Sequence, residues 1–281
     1  MGIANTEQAE FWAQMAPTWR ELEDRLEQVS ARPGELAMER AGLRPGQRVA
    51  DLGCGLGRTT LELASRVGPG GSATGVDISA GMLEAARERA DRLGVANVEF
   101  VHADVQVADL GTARFDAAYS RFGVMFFTDP VAAFGNVRDT LAPGGTLSFV
   151  CWQTVFDNEW MLIPGAAVAE VTGSLPQMPG PGEPGPFSLS DPARVRSVLE
   201  AAGFGSVDVT PHNDHVVISE DQIPEIAATS IRSGAGREAL KEAGEDTRQR
   251  ALAAIESALR ARVQDGQVRA TRGVLLVTGT A

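Results

Sequence analysis

An α/β fold, with a doubly wound, mostly parallel sheet covered by helices on both faces, follows from three features of this 281-residue chain. Strand-like and helix-like patterns alternate between Arg48 and Cys151, as a parallel sheet with crossover helices requires. The strand segments are continuous apolar runs rather than alternating ones, which suits strands buried on both faces. The first of them, Val49-Ala50-Asp51-Leu52, leads directly into three closely spaced glycines, Gly53, Gly55 and Gly57, and then into a helix. Such a turn brings backbone close to a ligand with no Cβ in the way, and reads as a cradle for a nucleoside-bearing cofactor.

The elements follow in order. The spacing of the glycines is not that of a dinucleotide fingerprint, whose third glycine would fall on Arg58. That spacing, and the lack of a Tyr-x-x-x-Lys pair around Tyr119, the only tyrosine, argue against a nicotinamide-dependent oxidoreductase. A helix spans Arg58 to Val67 and ends at Pro69-Gly70-Gly71. A short strand, Ala73 to Val76, closes on Asp77, roughly twenty residues past the glycines, where an acid can accept from a ribose hydroxyl pair. A third strand, Val98 to Ala103, ends at Asp104-Val105. A fourth, Phe115 to Tyr119, delivers Ser120-Arg121-Phe122, and the turn Leu141 to Gly145 enters a fifth, Thr146 to Cys151. Asp51, Asp77, Asp104 and Ser120 therefore share the carboxyl edge of the sheet, where such folds bind ligands. Singly, Asp77 and Asp104 also read as helix caps, and Cys54 as a small residue packed in the turn.

These residues, from about Arg48 to Trp152, resemble the core of class I S-adenosylmethionine-dependent methyltransferases. The resemblance implies a Rossmann-like methyltransferase fold with a seven-stranded sheet whose last strand runs antiparallel. It implies S-adenosylmethionine as cofactor, cradled by Asp51, Gly53, Cys54, Gly55 and Gly57. Asp77 would hold the ribose, with Ile78, Ser79 and Met82 beside the adenine; Asp104 and the Val105 amide would hold the adenine edge, with Ser120 on the same rim. The run Ser120 to Phe127, with Cys151-Trp152-Gln153, is similar to the ubiquinone/menaquinone-biosynthesis branch of small-molecule methyltransferases.

Around this core, residues 46–152, lie regions expected to shape a substrate pocket. Residues 1–45 are helical in pattern from Thr6 to about Leu43, with Phe11, Trp12, Met15, Trp19, Leu22 and Leu26 at spacings of three and four. This is either an amphipathic helix packed on the sheet or, as in related methyltransferases, a lid, with Pro17 marking a break or a helix start. Residues 153–190, with Pro176, Pro179, Pro181, Pro184 and Pro186, read as an irregular substrate loop. Residues 191–281 complete the sheet: a helix capped by Asp191, a strand over Ser206 to Thr210, a helical insertion at about 220–265, and a last strand over Gly273 to Thr278. The insertion either covers the pocket or makes a homodimer contact. Trp12, Trp19, Arg121, Phe122, Trp152 and Trp160 are the pocket candidates.

Composition bounds the function. The net charge of -12 disfavours nucleic acid, because phosphate contacts need clustered Lys and Arg. Two distant cysteines and three histidines offer no disulfide framework and no metal-ligand spacing. No run of about 18 apolar residues and no basic, apolar leader is present, so no membrane insertion and a cytoplasmic location are expected. The implied chemistry is methyl transfer to an oxygen, nitrogen or carbon of a small, fairly apolar acceptor. The donor is already activated, so positioning outweighs dedicated catalytic groups. His212, following the sixth strand, is the one candidate base, whereas His102 reads as a core residue. A protein that binds the cofactor without transferring, as a cyclase or a binding module, is the alternative.

Overall fold

The computed structural model describes residues 3–174 and 182–281. Seven strands form one sheet in the order β3-β2-β1-β4-β5-β7-β6. β1 (Arg48–Leu52), β2 (Ser72–Asp77), β3 (Val98–His102), β4 (Phe115–Arg121) and β5 (Leu141–Trp152) pair in parallel. β7 (Gln267–Thr280) runs antiparallel to both β5 and β6 (Gly205–Ser219). The strand order reverses between β1 and β4, and the carboxyl ends of strands at such a reversal are where open α/β sheets form their ligand crevice.

The helices α2 (Arg58–Val67), α3 (Ala80–Leu93), α4 (Pro130–Thr140) and α6 (Pro192–Ala201) cover the sheet. Ser79 caps α3, Asp129 caps α4 and Asp191 caps α6, each accepting a backbone N–H, so Asp77 is left free of capping. The two faces of the sheet are assigned by strand alternation. Tyr119 and Ser148, paired across β4 and β5, point to one face and donate to the N-terminal helix α1 (Thr6–Arg40); Phe149 points to the other and stacks on Phe134 of α4.

The N-terminal helix α1 (Thr6–Arg40) is 35 residues long, about 52 Å at 1.5 Å per residue. The break expected at Pro17 is absent: the helix runs through both Pro17 and Pro33. Proline removes a helix N–H and strands the carbonyl four residues earlier. For Pro33 that carbonyl belongs to Val29, and the Arg272 guanidinium supplies the missing donor at 2.5 Å. Arg272, only 5% exposed on β7, also forms a two-pronged pair with Asp214 of β6. Next along, Gly34 lets the helix touch the sheet, because a Cβ there would lie 2.4 Å from Arg121 Cδ. The Gly34 and Ala37 carbonyls accept from the Tyr119 and Ser148 hydroxyls at 2.9 and 2.6 Å.

Beyond the sheet the expectations need two corrections. Residues 153–190 are not one irregular loop, since α5 (Glu159–Thr172) occupies much of them. The run from Trp160 to Val171 is apolar enough to form a buried helix, and its Pro164 is tolerated as Pro17 is; Pro176, Pro179 and Pro181 lie outside the described residues. The last two strands are also much longer than the short apolar segments predicted. They extend past Trp152 as a hairpin, Asn213–Ser219 against Gln267–Gly273. This hairpin carries α5, α7 (Ile223–Ser230), α8 (Gly234–Ala239) and α9 (Glu245–Arg260) around a second apolar core of Ile163, Val168, Ile218, Leu240, Ile255 and Val268. Its strands alternate with polar residues because one side faces water, which hid them from a search for continuous apolar runs.

Arg272→Met leaves the Asp214 charge and the Val29 carbonyl without a donor, and should cost about 3 kcal/mol. In a Pro33→Ala background, where the helix supplies its own N–H, the loss should fall by about 1 kcal/mol. Urea unfolding of the four proteins of this cycle measures the coupling, and simple additivity would refute the account.

Candidate functional site

The crevice is built from the loops that follow β1, β2, β3 and β4. Gly53, Gly55 and Gly57 all have positive φ, at 69°, 53° and 78°, and two of them have different reasons for being glycine. A Cβ on Gly57 would lie 2.7 Å from Ala86 Cβ, so that glycine lets α2 and α3 pack. A Cβ on Gly55 would meet nothing nearer than Met82 Sδ at 3.6 Å, so that position keeps backbone open to the crevice. The β1 and β4 loops are tied together by the Ser120 hydroxyl, which donates to Leu52 O at 2.7 Å and accepts from Gly123 N–H.

Asp77 is buried, and its two carboxylate oxygens accept from the Gly55 and Ser79 N–H groups, each at 2.8 Å. Burial pushes its pKa up, and these backbone donors offset part of that. The oxygens keep lone pairs for further donors. Asp51 is wholly buried; the Thr59 and Thr60 hydroxyls both donate to one oxygen at 2.7 Å, while the other has no partner. A buried, unpaired carboxylate oxygen is costly, and burial raises the Asp51 pKa to about 6. Cys54 packs as a buried thiol whose pKa burial pushes up, and its N–H, like that of Gly53, donates to Val76 O. Ile78 is half-buried and Met82 buried beside Leu56, while Val105 is buried behind Asp104.

Asp104 lies where expected but is engaged. Its carboxylate accepts from the backbone of Ala4 and Asn5, from the Asn5 side-chain amide at 2.9 Å to each oxygen, and from Gln106 N–H. Asn5 was not among the expected site residues, and its type pointed only to a helix cap. Ion pairs hold α1 over the crevice as well. Glu27 takes a two-pronged bond from Arg121, both contacts at 2.9 Å, and Glu23 pairs with Arg58 and Arg89. Burial works against the Arg121 charge, but Glu27 holds its pKa above the ordinary value.

The predicted pocket residues form two groups. Trp12 and Trp19 pack on Leu56, Met82 and Ala85, above the glycine loop, with Trp12 edge-on to Phe126 at 5.0 Å. Phe122 stacks on Trp152 at 3.8 Å and 10°, and Trp160 lies 5.3 Å further on. Phe122 has φ 60°, an uncommon conformation for an aromatic residue, held by its N–H to Val150 O and by the stack.

The histidines are placed otherwise than expected. His212 sits on edge strand β6, four strands from β1 and so roughly 19 Å across the sheet, 3.6 Å from Asp214. That separation removes it from the glycine crevice. His102 is exposed, because β3 is the other edge of the sheet, and its Nε2 meets Ile78 O at 3.0 Å. Among the described residues no helix is long and apolar enough to cross a membrane.

A glycine-lined turn at the switch point with an acid at each of three strand ends stands where open Rossmann-like sheets take their ligands. Residues 49–145 match the family described as "Methyltransferase domain". Aklanonic acid methyltransferase DauC of Streptomyces sp. (strain C5) is 35% identical over 104 residues, which is 37% of this chain and 47% of that protein. The ubiquinone/menaquinone biosynthesis C-methyltransferase UbiE of Pseudomonas syringae pv. syringae (strain B728a) is 38% identical over 112 residues, 40% of this chain and 44% of its own length. The chain thus spans somewhat under half the length of these relatives. In fold it is similar to the YcgJ protein of Bacillus subtilis, with TM-score 0.59 and 18% identity over 89% of this chain and 98% of that one. A SAM dependent methyltransferase from Aquifex aeolicus gives TM-score 0.53 at 17% identity, covering 93% and 97%.

The Asp51 carboxyl titrates near 6 in the folded chain against 3.8 unfolded, so the folded state holds its proton more tightly. Its contribution to stability is fully present below pH 4 and lost as pH rises through 6, a change of about 3 kcal/mol. Asp51→Asn should flatten the pH profile of unfolding free energy between 4 and 6 and raise stability at pH 7.5; a profile unchanged from the parent would contradict the burial argument.

Proposed function

We propose that this protein is an enzyme that transfers a methyl group from S-adenosylmethionine to a small, fairly apolar organic acceptor. The observation that carries the reading is Asp77. Its carboxylate is oriented by N–H groups from two separate loops, beside a backbone turn kept open at Gly55. Two oxygens so placed suit the two hydroxyls of a ribose. The unpaired Asp51 oxygen fits the same group, since the positively charged ammonium end of the donor would supply the partner it lacks.

S-adenosylmethionine supplies an electrophilic methyl on sulfur. The task of the chain is positioning and exclusion of water. Trp12 and Trp19 cover the donor side, and α1, pinned by Glu23 and Glu27, closes it to solvent. Phe122, Trp152 and Trp160 supply flat apolar surface at the ends of β4 and β5, which favours an acceptor with an aromatic or otherwise planar apolar body. The cap of α5, α7, α8 and α9 stands over that surface. Deprotonation of the acceptor falls to a group other than His212, or to an acceptor acidic enough to ionise unaided.

Isothermal titration with S-adenosylhomocysteine should give saturable binding that Asp77→Ala weakens about 10- to 100-fold. Transfer of labelled methyl to a panel of hydroxylated aromatic and quinol acceptors should follow. Binding with no turnover on any acceptor would favour the non-transferring alternative, and absence of binding would refute both.

A further inference from the structure

The N-terminal end of α1 occupies Asp104, the strand-end acid that the proposed donor uses for neither its ribose nor its ammonium group. Asn5 precedes α1 at the capping position, where an asparagine side chain ordinarily accepts from the first helical turn. Here it makes no such bond. Its amide nitrogen instead donates to both oxygens of Asp104 at 2.9 Å, and its amide oxygen accepts from the Thr128 N–H and hydroxyl. The Ala4 and Asn5 N–H groups add two more donors to the same carboxylate, at 3.0 and 2.9 Å. Asn5 is 5% exposed and Asp104 2%, so these bonds are made out of water. A little further along, the Ser79 hydroxyl donates to Trp12 O, bridging the helix to the loop after β2.

A primary amide presents an NH2 donor beside an acceptor in one plane, as the amine edge of adenine presents its NH2 beside a ring nitrogen. On the donor reading above, on which this inference rests, the adenine edge and the Asn5 amide require the same carboxylate. With Ala4, Asn5 and Gln106 donating five bonds, Asp104 has no capacity left for a sixth in that geometry. We propose that residues 3–5 are an internal strap that competes with the adenine end of the donor, so that donor binding must displace Asn5 from Asp104. The helix then pays its capping bond back: once released, Asn5 is free to cap α1, which lowers the cost of opening. The measured affinity is the intrinsic affinity multiplied by the fraction of chains with the strap open.

The test uses the full chain and S-adenosylhomocysteine. Asn5→Ala, which removes the side-chain donor to Asp104, should tighten binding about five-fold, and Asn5→Asp, which places like charges together, by at least as much. In the parent protein, hydrogen exchange at the Ala4 and Asn5 amides should be slow in the free chain and speed up on saturation with ligand, whatever the fate of the variants. Equal or weaker binding by the variants, or slower exchange at those amides on binding, would overturn the strap and leave the donor reading intact. If no form binds, the donor reading falls and the strap with it.

Discussion

The crossing of α1 over β4, β5 and β7 is the contact on which the rest of the carboxyl edge depends. Parallel strands end in loops whose polar groups face outward, and nothing in the sheet itself covers them. One long helix does so here, but only by accepting two defects. Pro33 strands the Val29 carbonyl, and Gly34 weakens the helix by about 1 kcal/mol relative to alanine. Both defects are used. The freed carbonyl becomes the seat of Arg272, and the missing Cβ makes room for Tyr119 and Arg121. The same few residues therefore join the sheet, the extended hairpin of β6 and β7, and the helix that closes the crevice.

The electrostatics of the crevice are arranged around that closure. Asp51, Asp77 and Asp104 are all buried acids within one rim, an expensive arrangement that a stable fold keeps only where donors are supplied. Backbone N–H groups serve Asp77, two threonine hydroxyls serve one side of Asp51, and the N-terminal segment serves Asp104. Among the described residues, Arg58, Arg89 and Arg121 form their ion pairs with Glu23 or Glu27 of α1 rather than with these three acids. The helix thus carries the negative charge that positions the basic residues, and the rim stays acidic toward a cationic ligand.

How much was legible in the sequence depended on whether a residue acts through its backbone position or through a distant partner. Asp77 at a strand end, the glycines and Ser79 are local statements, and the structure puts them together as the alternation of strand and helix requires. The hairpin beyond Thr210 was missed because its strands alternate polar and apolar on a half-solvated surface, and α5 because proline density nearby suggested a loop. Arg121 was expected in a pocket but turned out to be held by Glu27, 94 residues away, a pairing with no local pattern. Asn5 was missed for a subtler reason: a cap residue in sequence gives no sign that its side chain has been drawn elsewhere.

The two halves of the crevice are built on different chemical principles, and this explains why one is so much easier to read than the other. The half around the glycine turn, the donor side of the proposed reaction, uses main-chain groups, short acids and tight turns, for which few residue types serve; a substitution at Gly57 collides with Ala86 whatever the ligand. The aromatic half, the acceptor side of the proposed reaction, uses apolar surface, Phe122 on Trp152 with Trp160 beyond, and many side chains of similar volume can build such a wall. Only the strain at Phe122 departs from that freedom. A left-handed aromatic residue at the end of β4 is retained at a cost of order 1–3 kcal/mol, and the stack on Trp152 offsets part of it. Because Gly123, the next residue, lies against Gly53 of the donor loop, the conformation of Phe122 sets the spacing between the two halves. The aromatic wall and the glycine turn are therefore mechanically one unit, joined across a single peptide bond.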